Sequence, residues 1–337
     1  MSGDAEGAAV RWKRRAVTVP TMLVVTVAAV VALPLIIAVA AVFDLARARV
    51  RLPTVRLSLF LVQYALNDSA EILLAPILWV VAGLGTRLDS DASLRRHLRL
   101  QTWSLRLLAR RAEQLFGLRI DASTECMRSL APGPVIVLCR HVNLLDASLP
   151  SLLYEPLGYR VRAVVMAELL RDPGFDLLYG RLGSVFVPRD DAAAARAMIT
   201  RLGDGDVRDT AFVLFPEGRL FRRETLTRAL ARLQERDLVR WDRLQNLGHV
   251  LPPRTAGVSV LLDAVPGADI VVVAHAGLDD YETLSQLANA GPVNVRVDAW
   301  RVPRNDIPNG DDERSVWLDD LWCRLDGWVA EQLARRS

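Results

Sequence analysis

The segment VIVLCRHVNLLDASLP, Val135–Pro150, indicates the fold class of the chain. Its first five residues, Val135–Cys139, are apolar and mostly β-branched, which is typical of a buried strand. Arg140 and His141 follow the strand, and Asn143 is placed to cap a helix immediately after them. A buried strand that leads directly into a helix is the repeating unit of a parallel α/β sheet.

Further β-branched runs have the length and composition of strands, and helical stretches such as Ala192–Leu202 separate most of them. This alternation predicts an α/β fold with a mostly parallel sheet that helices cover. A terminal helix is predicted from its stripe of tryptophan and leucine residues, which is more often core or membrane edge than a binding site. The predicted strands are Pro134–Cys139, Val161–Met166, Ser184–Val187, Ala211–Phe215, Ile270–Ala274 and Val293–Ala299.

The composition excludes several classes of protein. The chain has 337 residues, 51% of them apolar, and a mean hydropathy of +0.20, which is too apolar for a disordered chain. The net charge is only +3, and the basic residues, all arginine except Lys13, do not cluster as a nucleic-acid-binding surface requires. The three cysteines are scattered and odd in number, so neither a disulfide framework nor a zinc site is predicted.

An uncharged segment near the N-terminus predicts a membrane anchor. No charged residue occurs from Ala16 to Phe43, and about 20 helical residues suffice to cross a bilayer. The basic residues between Arg11 and Arg15 favour a cytoplasmic N-terminus. We therefore expect the protein at the cell membrane, with its α/β domain on the cytoplasmic side.

A second apolar segment, Leu57–Gly85, leaves two membrane geometries open. It is interrupted by Asn67–Glu71, and carboxylates are costly at mid-depth in lipid. The segment is either a true span that buries Asp68 and Glu71 against a partner, or two shorter helices that lie in the interface. A shallow hairpin in one leaflet would also keep the arginines between the two segments out of conflict with the positive-inside tendency.

The region Ser90–Ile120 has the pattern of a basic amphipathic helix, with leucines alternating with arginines. A solvated helix face is the more common outcome of such a pattern. Beside a membrane anchor, contact with anionic lipid is the other interpretation.

His141 and Asp146 are the first candidates for chemistry. His141 follows a strand at the end where α/β sheets place their ligand sites. Asp146 would lie in the first turn of the next helix, where its carboxylate can accept the Nδ1–H of His141 and leave Nε2 free as a base. The alternative is structural: Asn143 and Asp146 form a capping pair and His141 is merely exposed.

Three later stretches combine a strand end or a turn with arginine. GSVFVPRDD, Gly183–Asp191, delivers Arg189, either a phosphate ligand or a partner for the neighbouring aspartates. FVLFPEGRLFR, Phe212–Arg222, combines a carboxylate, a turn glycine and two arginines, and alone it is an ordinary strand-to-helix turn. HVLPPRTAG, His249–Gly257, is an extended, proline-stiffened connector ahead of a helix that opens near Thr255.

In this order, the four stretches resemble the glycerolipid acyltransferase family, whose best-known members are 1-acylglycerol-3-phosphate acyltransferases. The resemblance covers residues 134–274, and HVLPPRTAGV is most similar to the lysocardiolipin and lysophosphatidylinositol branch. Two positions depart from the family pattern: Arg140 stands before the histidine, and Arg219-Leu220 follows Phe-Pro-Glu-Gly. The four family blocks correspond to His141…Asp146, Gly183…Phe186…Arg189, Phe215-Pro216-Glu217-Gly218 and Pro252-Pro253-Arg254.

The resemblance implies acyl transfer by general base catalysis. His141 would deprotonate a glycerol hydroxyl that attacks an acyl thioester, and Asp146 would hold the imidazole. It implies no metal and no resident cofactor, since acyl-CoA or acyl carrier protein is a co-substrate. The substrate-binding residues that it implies are Gly183, Phe186, Arg189, Glu217, Gly218, Arg219, Arg222, Pro253 and Arg254, with Arg189 holding the acceptor phosphate with help from either Arg219 or Arg222.

The expected protein is therefore a membrane anchor over residues 1–88 followed by an acyltransferase domain over residues 89–337. Its expected partners are the lipid bilayer, a lysophospholipid acceptor and acyl-CoA. The favoured acceptor is 1-acylglycerol-3-phosphate, with lysophosphatidylinositol, lysocardiolipin and glycerol-3-phosphate as alternatives. A serine hydrolase is disfavoured because no Gly-x-Ser-x-Gly elbow is present. A non-catalytic membrane scaffold would keep the anchor without needing His141, Asp146 and Glu217 together.

Overall fold

A computed structural model describes residues 7–130 and 132–335 of the chain. The chain divides into two compact units. Unit 1 comprises Met1–Arg119, Arg160–Met198 and Thr283–Val293, and unit 2 comprises Ile120–Tyr159, Ile199–Glu282 and Asn294–Ser337. The predicted division into an anchor over residues 1–88 and a catalytic domain over residues 89–337 stays a prediction.

Three long helices form most of unit 1: α1 (Ala8–Ala46), α2 (Pro53–Val81) and α3 (Asp91–Phe116). Helices α1 and α2 pack as an antiparallel hairpin, because Thr26 donates to the carbonyl of Ala65 and Asp44 accepts from Thr54 across the turn. Both α1 and α2 are long and apolar enough to cross a membrane, by length and composition alone.

Helix α2 is continuous through its polar interruption. Asn67, Asp68 and Ser69 are all buried there. The amide of Asn67 donates to the carbonyl of Ser104 in α3 at 2.9 Å, and Ser69 donates to Thr26 in α1 at 2.8 Å. The alternative of two shorter helices is therefore wrong, because α2 is continuous from Pro53 to Val81, with Asn67 and Ser69 hydrogen-bonded to the neighbouring helices.

Helix α3 confirms the predicted basic amphipathic helix. Ser90 caps its N-terminus by accepting from the N–H of Ser93 at 3.3 Å. Its arginines are exposed, while a stripe that includes His97 and Leu100 is buried. The predicted end at Ile120 is wrong, because Gly117 takes a φ of +68° and ends the helix.

The remainder of unit 1 consists of short elements. Strands β3 (Arg160–Met166) and β4 (Val185–Val187) pair in parallel, with Val164 opposite Val185. A single π-helical turn occupies Phe175–Tyr179 between them. Helix α10 (Leu284–Asn289) packs on α2. Helix α6 (Ala192–Arg201) contributes residues to both units.

Unit 2 is built on a sheet in which β1 (Leu118–Ala122), β7 (Val293–Val302), β6 (Asp269–Ala276), β2 (Val135–Cys139) and β5 (Thr210–Leu214) follow one another. The three strands β6, β2 and β5 are parallel and almost completely buried, and β7 is antiparallel to β6. The helices of this unit are α4 (Thr124–Ser129), α5 (Leu149–Tyr154), α7 (Arg223–Arg236), α8 (Leu238–Leu244), α9 (Thr255–Ala264) and α11 (Asp311–Ala334).

The predicted mostly parallel sheet with covering helices is confirmed. Each of the six predicted runs contains a strand, with ends that differ by a few residues. Strand β1 was not predicted, because its central residues are exposed at the edge of the sheet and it therefore lacks an apolar pattern. The predicted cap at Asn143 is also confirmed, since its side chain accepts from the N–H of Leu145 at 3.0 Å.

Candidate active site

His141 lies directly after β2, in a short connection to the next helical turn. Its Nδ1 is 2.6 Å from Oδ1 of Asp146, and its ring packs on that of Phe215 with the centroids 4.5 Å apart. The side chain of His141 is 19% exposed, whereas that of Asp146 is fully buried. Within residues 7–130 and 132–335, Nε2 of His141 has no hydrogen-bond partner, so the imidazole keeps one nitrogen for a reacting group.

Asp146 also organises the backbone around this histidine. Its Oδ2 accepts from the N–H of Val142 at 2.6 Å and of Asn143 at 2.7 Å, which completes a capping box with Asn143. Asp146 therefore has both the capping role and the contact with the imidazole of His141. One carboxylate oxygen fixes the turn, and the other is left for the imidazole.

His275 lies on the second side of the same carboxylate. Its Nε2 is 3.1 Å from the carbonyl oxygen of Arg140 and 3.5 Å from Oδ2 of Asp146. Because both neighbours are acceptors, Nε2 carries the proton, and the buried Nδ1 has no partner among the described residues. Complete burial lowers the pKa of His275, so it is a neutral donor beside Asp146.

Arg140, where the family pattern differs, is a structural residue and does not face substrate. Its side chain is fully buried. It donates to the carbonyls of His249 at 2.7 Å and His275 at 2.9 Å, and it pairs with Asp279. Burial acts to raise the pKa of Asp279, but the charge of Arg140 outweighs this and holds it below its usual value. The guanidinium of Arg140 therefore connects the adjacent strands β2 and β6 to the stretch that begins at His249.

Glu217 accepts a hydrogen bond from the backbone of the same histidine. It is 2% exposed, its Oε1 accepts from the backbone N–H of His141 at 3.2 Å, and its Oε2 accepts from that of Leu251 at 2.9 Å. Burial raises the pKa of Glu217 to about 8, although both backbone donors and Arg140 act to lower it. Both oxygens of Glu217 are therefore engaged by backbone amides.

The turn after β5 holds His141 in place and engages Arg222. The N–H of Phe221 donates to the carbonyl of His141 at 2.6 Å. The guanidinium of Arg222 donates to the carbonyls of Val142 at 2.8 Å and Glu282 at 3.1 Å. Arg222 is therefore occupied by protein acceptors, which argues against the predicted role in binding an acceptor phosphate.

Arg219 and Arg254 line a cavity of about 230 Å³ in unit 2, which Glu217 and Pro252 also line. Gly218 takes a φ of +68°, and a Cβ there would lie 3.1 Å from Cζ of Arg254. Glycine is thus required by both the turn and the approach of a guanidinium. Burial, followed by the nearby charge of Arg219, lowers the pKa of Arg254.

Pro253 contributes through its backbone. Its carbonyl accepts from the guanidinium of Arg240 at 2.6 Å, and this guanidinium also pairs with the buried Asp319 of α11 at 2.7 Å. The proline is buried, so it positions the adjacent Arg254 from inside the protein.

The residues of the second block belong to unit 1. Gly183 takes a φ of +97°, and a Cβ there would lie 3.2 Å from Nε of Arg162, which accounts for the glycine. Phe186 lies in β4 and is half-buried. Arg189 is 65% exposed and pairs with Glu168 at 3.1 Å, so its assignment to the acceptor phosphate stays a prediction.

Cys139, the residue nearest to the candidate base that could act as a nucleophile, is unsuited to that role. It is fully buried, and burial together with the charges of Asp146 and Glu217 raises the pKa of its thiol well above the usual range. Only a thiolate is a competent nucleophile. Among the described residues, no three His, Cys, Asp or Glu side chains are arranged to hold a metal ion.

Sequence reasoning missed His275, Asp279 and the structural role of Arg140. The register of β2 against β6 pairs Cys139 with Val273, so His141 and His275 each follow by two residues. A histidine two residues after the paired positions Cys139 and Val273 was a usable signal. It required the knowledge that these two strands are neighbours, which the local sequence does not contain.

Comparison with known proteins found a matching family model and a similar solved structure. Residues 123–278 match the family model described as Acyltransferase, and this segment contains all four sequence blocks. The chain is also similar to the crystal structure of the 1-acyl-sn-glycerophosphate (LPA) acyltransferase PlsC from Thermotoga maritima, at 14% identity and a TM-score of 0.45, over 79% of this chain and 97% of that one. No curated protein matches the chain.

Proposed function

We propose that the protein is a membrane-bound O-acyltransferase that transfers a fatty acyl group from acyl-CoA, or from acyl carrier protein, to a hydroxyl of 1-acylglycerol-3-phosphate. The observation that carries this proposal is the pair His141 and Asp146, with Nδ1 and Oδ1 2.6 Å apart at the end of a buried strand, inside the segment that matches the Acyltransferase family model. The chemistry needs one base and no resident cofactor.

The proposed reaction is a direct displacement. Nε2 of His141 takes the proton of the acceptor hydroxyl as its oxygen attacks the thioester carbonyl. A C–O bond forms, the C–S bond breaks, and the imidazolium returns its proton to the departing thiolate. Asp146 keeps the Nδ1 proton in place and stabilises the imidazolium. General base assistance of this kind is worth typically ~10²–10⁴-fold.

Arg219 and Arg254 are the proposed ligands of the acceptor phosphate. Both line the cavity that Glu217 also lines, and Glu217 is bonded to the backbone of His141. A cavity with this connection can hold a phosphate whose glycerol hydroxyl reaches the base. Arg219 is favoured over Arg222 as a phosphate ligand, since Arg222 donates to protein carbonyls.

Membrane attachment is proposed through α1, α2 and α3 of unit 1, lying in one leaflet. Helix α3 runs antiparallel along α2, as shown by Arg56 with the carbonyl of Leu115, Arg111 with Gln63, and Asn67 with Ser104. A spanning α2 would carry the exposed arginines of α3 into the hydrocarbon, which is costly. An in-plane layer places the apolar hairpin in lipid and the arginines among anionic head groups. The basic N-terminus supports the cytoplasmic leaflet.

The test is acyl transfer by the purified full-length protein in neutral detergent micelles, with acyl-CoA and a panel of lysophospholipids. We expect transfer to 1-acylglycerol-3-phosphate, and a loss of at least ~10²-fold in kcat/KM for His141→Ala. His249→Ala is the matched control, since no site hydrogen bond of the described residues uses its side chain. Activity of folded His141→Ala within about tenfold of the wild type would rule out the base assignment.

A further inference from the structure

The cavity beside Glu217 carries more positive charge than one phosphate monoester requires. We propose that Arg228 and Arg232 of α7 form a second phosphate subsite next to Arg219 and Arg254, so that the enzyme takes a substrate with at least two phosphate groups. This inference rests on the proposed acyltransferase function and names the substrate class of the same site.

The two added arginines lie on one face of α7. Thr225, Arg228, Ala229 and Arg232 line the cavity, and their spacing of three and four residues is that of a single helical face. Arg228 and Arg232 are one turn apart, a rise of about 6 Å. The small side chain of Ala229 beside them leaves the cavity open at this point.

The opposite wall comes from two loops. Arg219 follows the turn at Gly218, and Arg254 precedes α9 and packs its guanidinium over that turn. The cavity thus has one pair of arginines from the loops and one pair from the helix. The four guanidinium charges exceed the charge of about −2 on one phosphate group, whereas two phosphates in one ligand can balance both pairs through charge-assisted hydrogen bonds.

These arginines also lack the acidic partners that other arginines of unit 2 have. Arg240 and Arg243 share Asp319, Arg301 pairs with Asp269, and Arg314 pairs with Asp263. In the described part of the chain, by contrast, none of the four cavity arginines forms an ion pair. Arg228 donates to the carbonyl of Glu224 at 3.0 Å, which leaves its charge uncompensated.

The single acidic residue among those that line the cavity does not neutralise this charge. Glu217 is buried, and both of its oxygens accept from backbone amides. Four guanidinium groups around one cavity repel each other, and an anionic ligand removes that repulsion. The clustering is therefore accounted for by a polyanionic ligand rather than by the stability of the free protein.

Two substrates of the proposed reaction share this chemistry. The acceptor can carry a second phosphate in its head group, or the donor can present the several phosphates of CoA. Both are ligands with two or more phosphates attached to an acyl-bearing molecule. The kinetic arms of the test separate them, and either result supports the subsite.

The first measurement is binding, independent of catalysis. Inorganic pyrophosphate and inorganic phosphate are titrated into the full-length protein by calorimetry at low ionic strength. We expect pyrophosphate to bind at least tenfold more tightly than phosphate. The double variant Arg228→Ala/Arg232→Ala should lose at least tenfold for pyrophosphate and little for phosphate. Arg236→Ala is the control, since it removes one positive charge one turn further along α7 and outside the cavity.

The second measurement is steady-state kinetics of the same variants. The donors are acyl-CoA and an acyl phosphopantetheine thioester, and the acceptors are 1-acylglycerol-3-phosphate and lysocardiolipin. A KM that rises at least tenfold for acyl-CoA alone assigns the subsite to the donor. The same rise for lysocardiolipin alone assigns it to the acceptor.

The inference is overturned if the double variant binds pyrophosphate like the wild type, or if Arg236→Ala weakens binding equally. It is also overturned if all four KM values are unchanged. Failure of the proposed function has a different appearance, because the wild type would then transfer no acyl group to any acceptor while the pyrophosphate titration would still report on the cavity.

Discussion

Asp146 has two tasks at the residue scale, and Asp146→Asn separates them. The amide oxygen of asparagine can keep the backbone N–H groups of Val142 and Asn143, which Oδ2 now accepts at 2.6 and 2.7 Å. The NH₂ group then faces His141 and donates to Nδ1, which places the ring proton on Nε2, the wrong tautomer for a base. We expect a normally folded variant whose kcat falls by at least ~10²-fold.

Far-ultraviolet circular dichroism and kinetics on the same preparation check this outcome. Asp237→Asn is the control, since Asp237 also accepts a backbone N–H at a helix start, from Arg240 at 3.0 Å, and holds no histidine. If Asp146→Asn retains the activity of the control, the aspartate has only the capping role.

Glu217 predicts a pH dependence of stability. Its pKa is raised by burial to about 8 from the 4.5 of an ordinary glutamate, so the folded state binds this proton more tightly than the unfolded state. The stabilisation is complete below pH 4.5 and is lost as the pH rises towards 8. The Tm of the wild type minus the Tm of Glu217→Gln, followed from pH 4.5 to about 8, should decrease as the pH rises.

The comparison with Glu217→Gln removes the contribution of all other titrating groups. Glutamine keeps the shape of the side chain and does not titrate. A constant difference in stability between the variant and the wild type therefore does not change how the difference in Tm varies with pH. A difference in Tm that stays constant, or that grows with pH, would show that the carboxyl is ionised throughout.

At the scale of elements, the turn between β5 and α7 positions Arg254. Gly218→Ala places a Cβ 3.1 Å from Cζ of that arginine and strains a φ of +68°. Backbone strain of this kind costs of order 1–3 kcal/mol. We expect a lower Tm together with a raised KM for the acceptor, because the guanidinium must move.

Gly205→Ala is the matched control for the turn. Gly205 has a φ of +75° with nothing within 4 Å of its added Cβ, so it reports the backbone strain alone. It should lower Tm by a similar amount and leave the acceptor KM unchanged. Equal kinetic effects of the two variants would mean that Arg254 does not contact the acceptor.

The elements that were predictable from the sequence are those with a local signature. Strands β2, β5 and β6 are buried on both faces and appear as unbroken apolar runs, and the meeting of His141 with Asp146 follows from their spacing around a capped turn. The contact of Glu217 with Leu251 joins residues distant along the chain. Such contacts depend on strand order and loop packing, which no short segment specifies.

At the scale of the whole molecule, the proposed membrane geometry rests on contacts at both ends of the hairpin. Near the start of α1, Arg14 and Arg15 pair with Asp176 at 3.0 and 2.9 Å. Near the start of α2, Arg56 donates to the carbonyls of Leu115 and Ala288. The 39 residues of α1 make a helix of about 58 Å. Other parts of unit 1 therefore contact the hairpin near both of its ends.

This arrangement predicts that both ends of α1 face the same side of the membrane. Val10 lies near the start of α1 and Val50 in the turn after it, and they are 57% and 83% exposed. Single Val10→Cys and Val50→Cys variants, in a Cys323→Ser background that retains the two buried cysteines, are reconstituted in sealed vesicles. A membrane-impermeant maleimide should label both positions to the same extent before detergent is added.

The competing geometry gives a different pattern of labelling. If α1 crosses the bilayer, its ends lie on opposite sides, and in any one vesicle the reagent reaches one position only. Reconstitution into vesicles of uniform orientation then leaves one variant unlabelled until detergent opens them. Labelling of that kind would contradict the in-plane hairpin, because α1 and α2 would have to leave the arginine-bearing α3 and the carbonyls that bind Arg56.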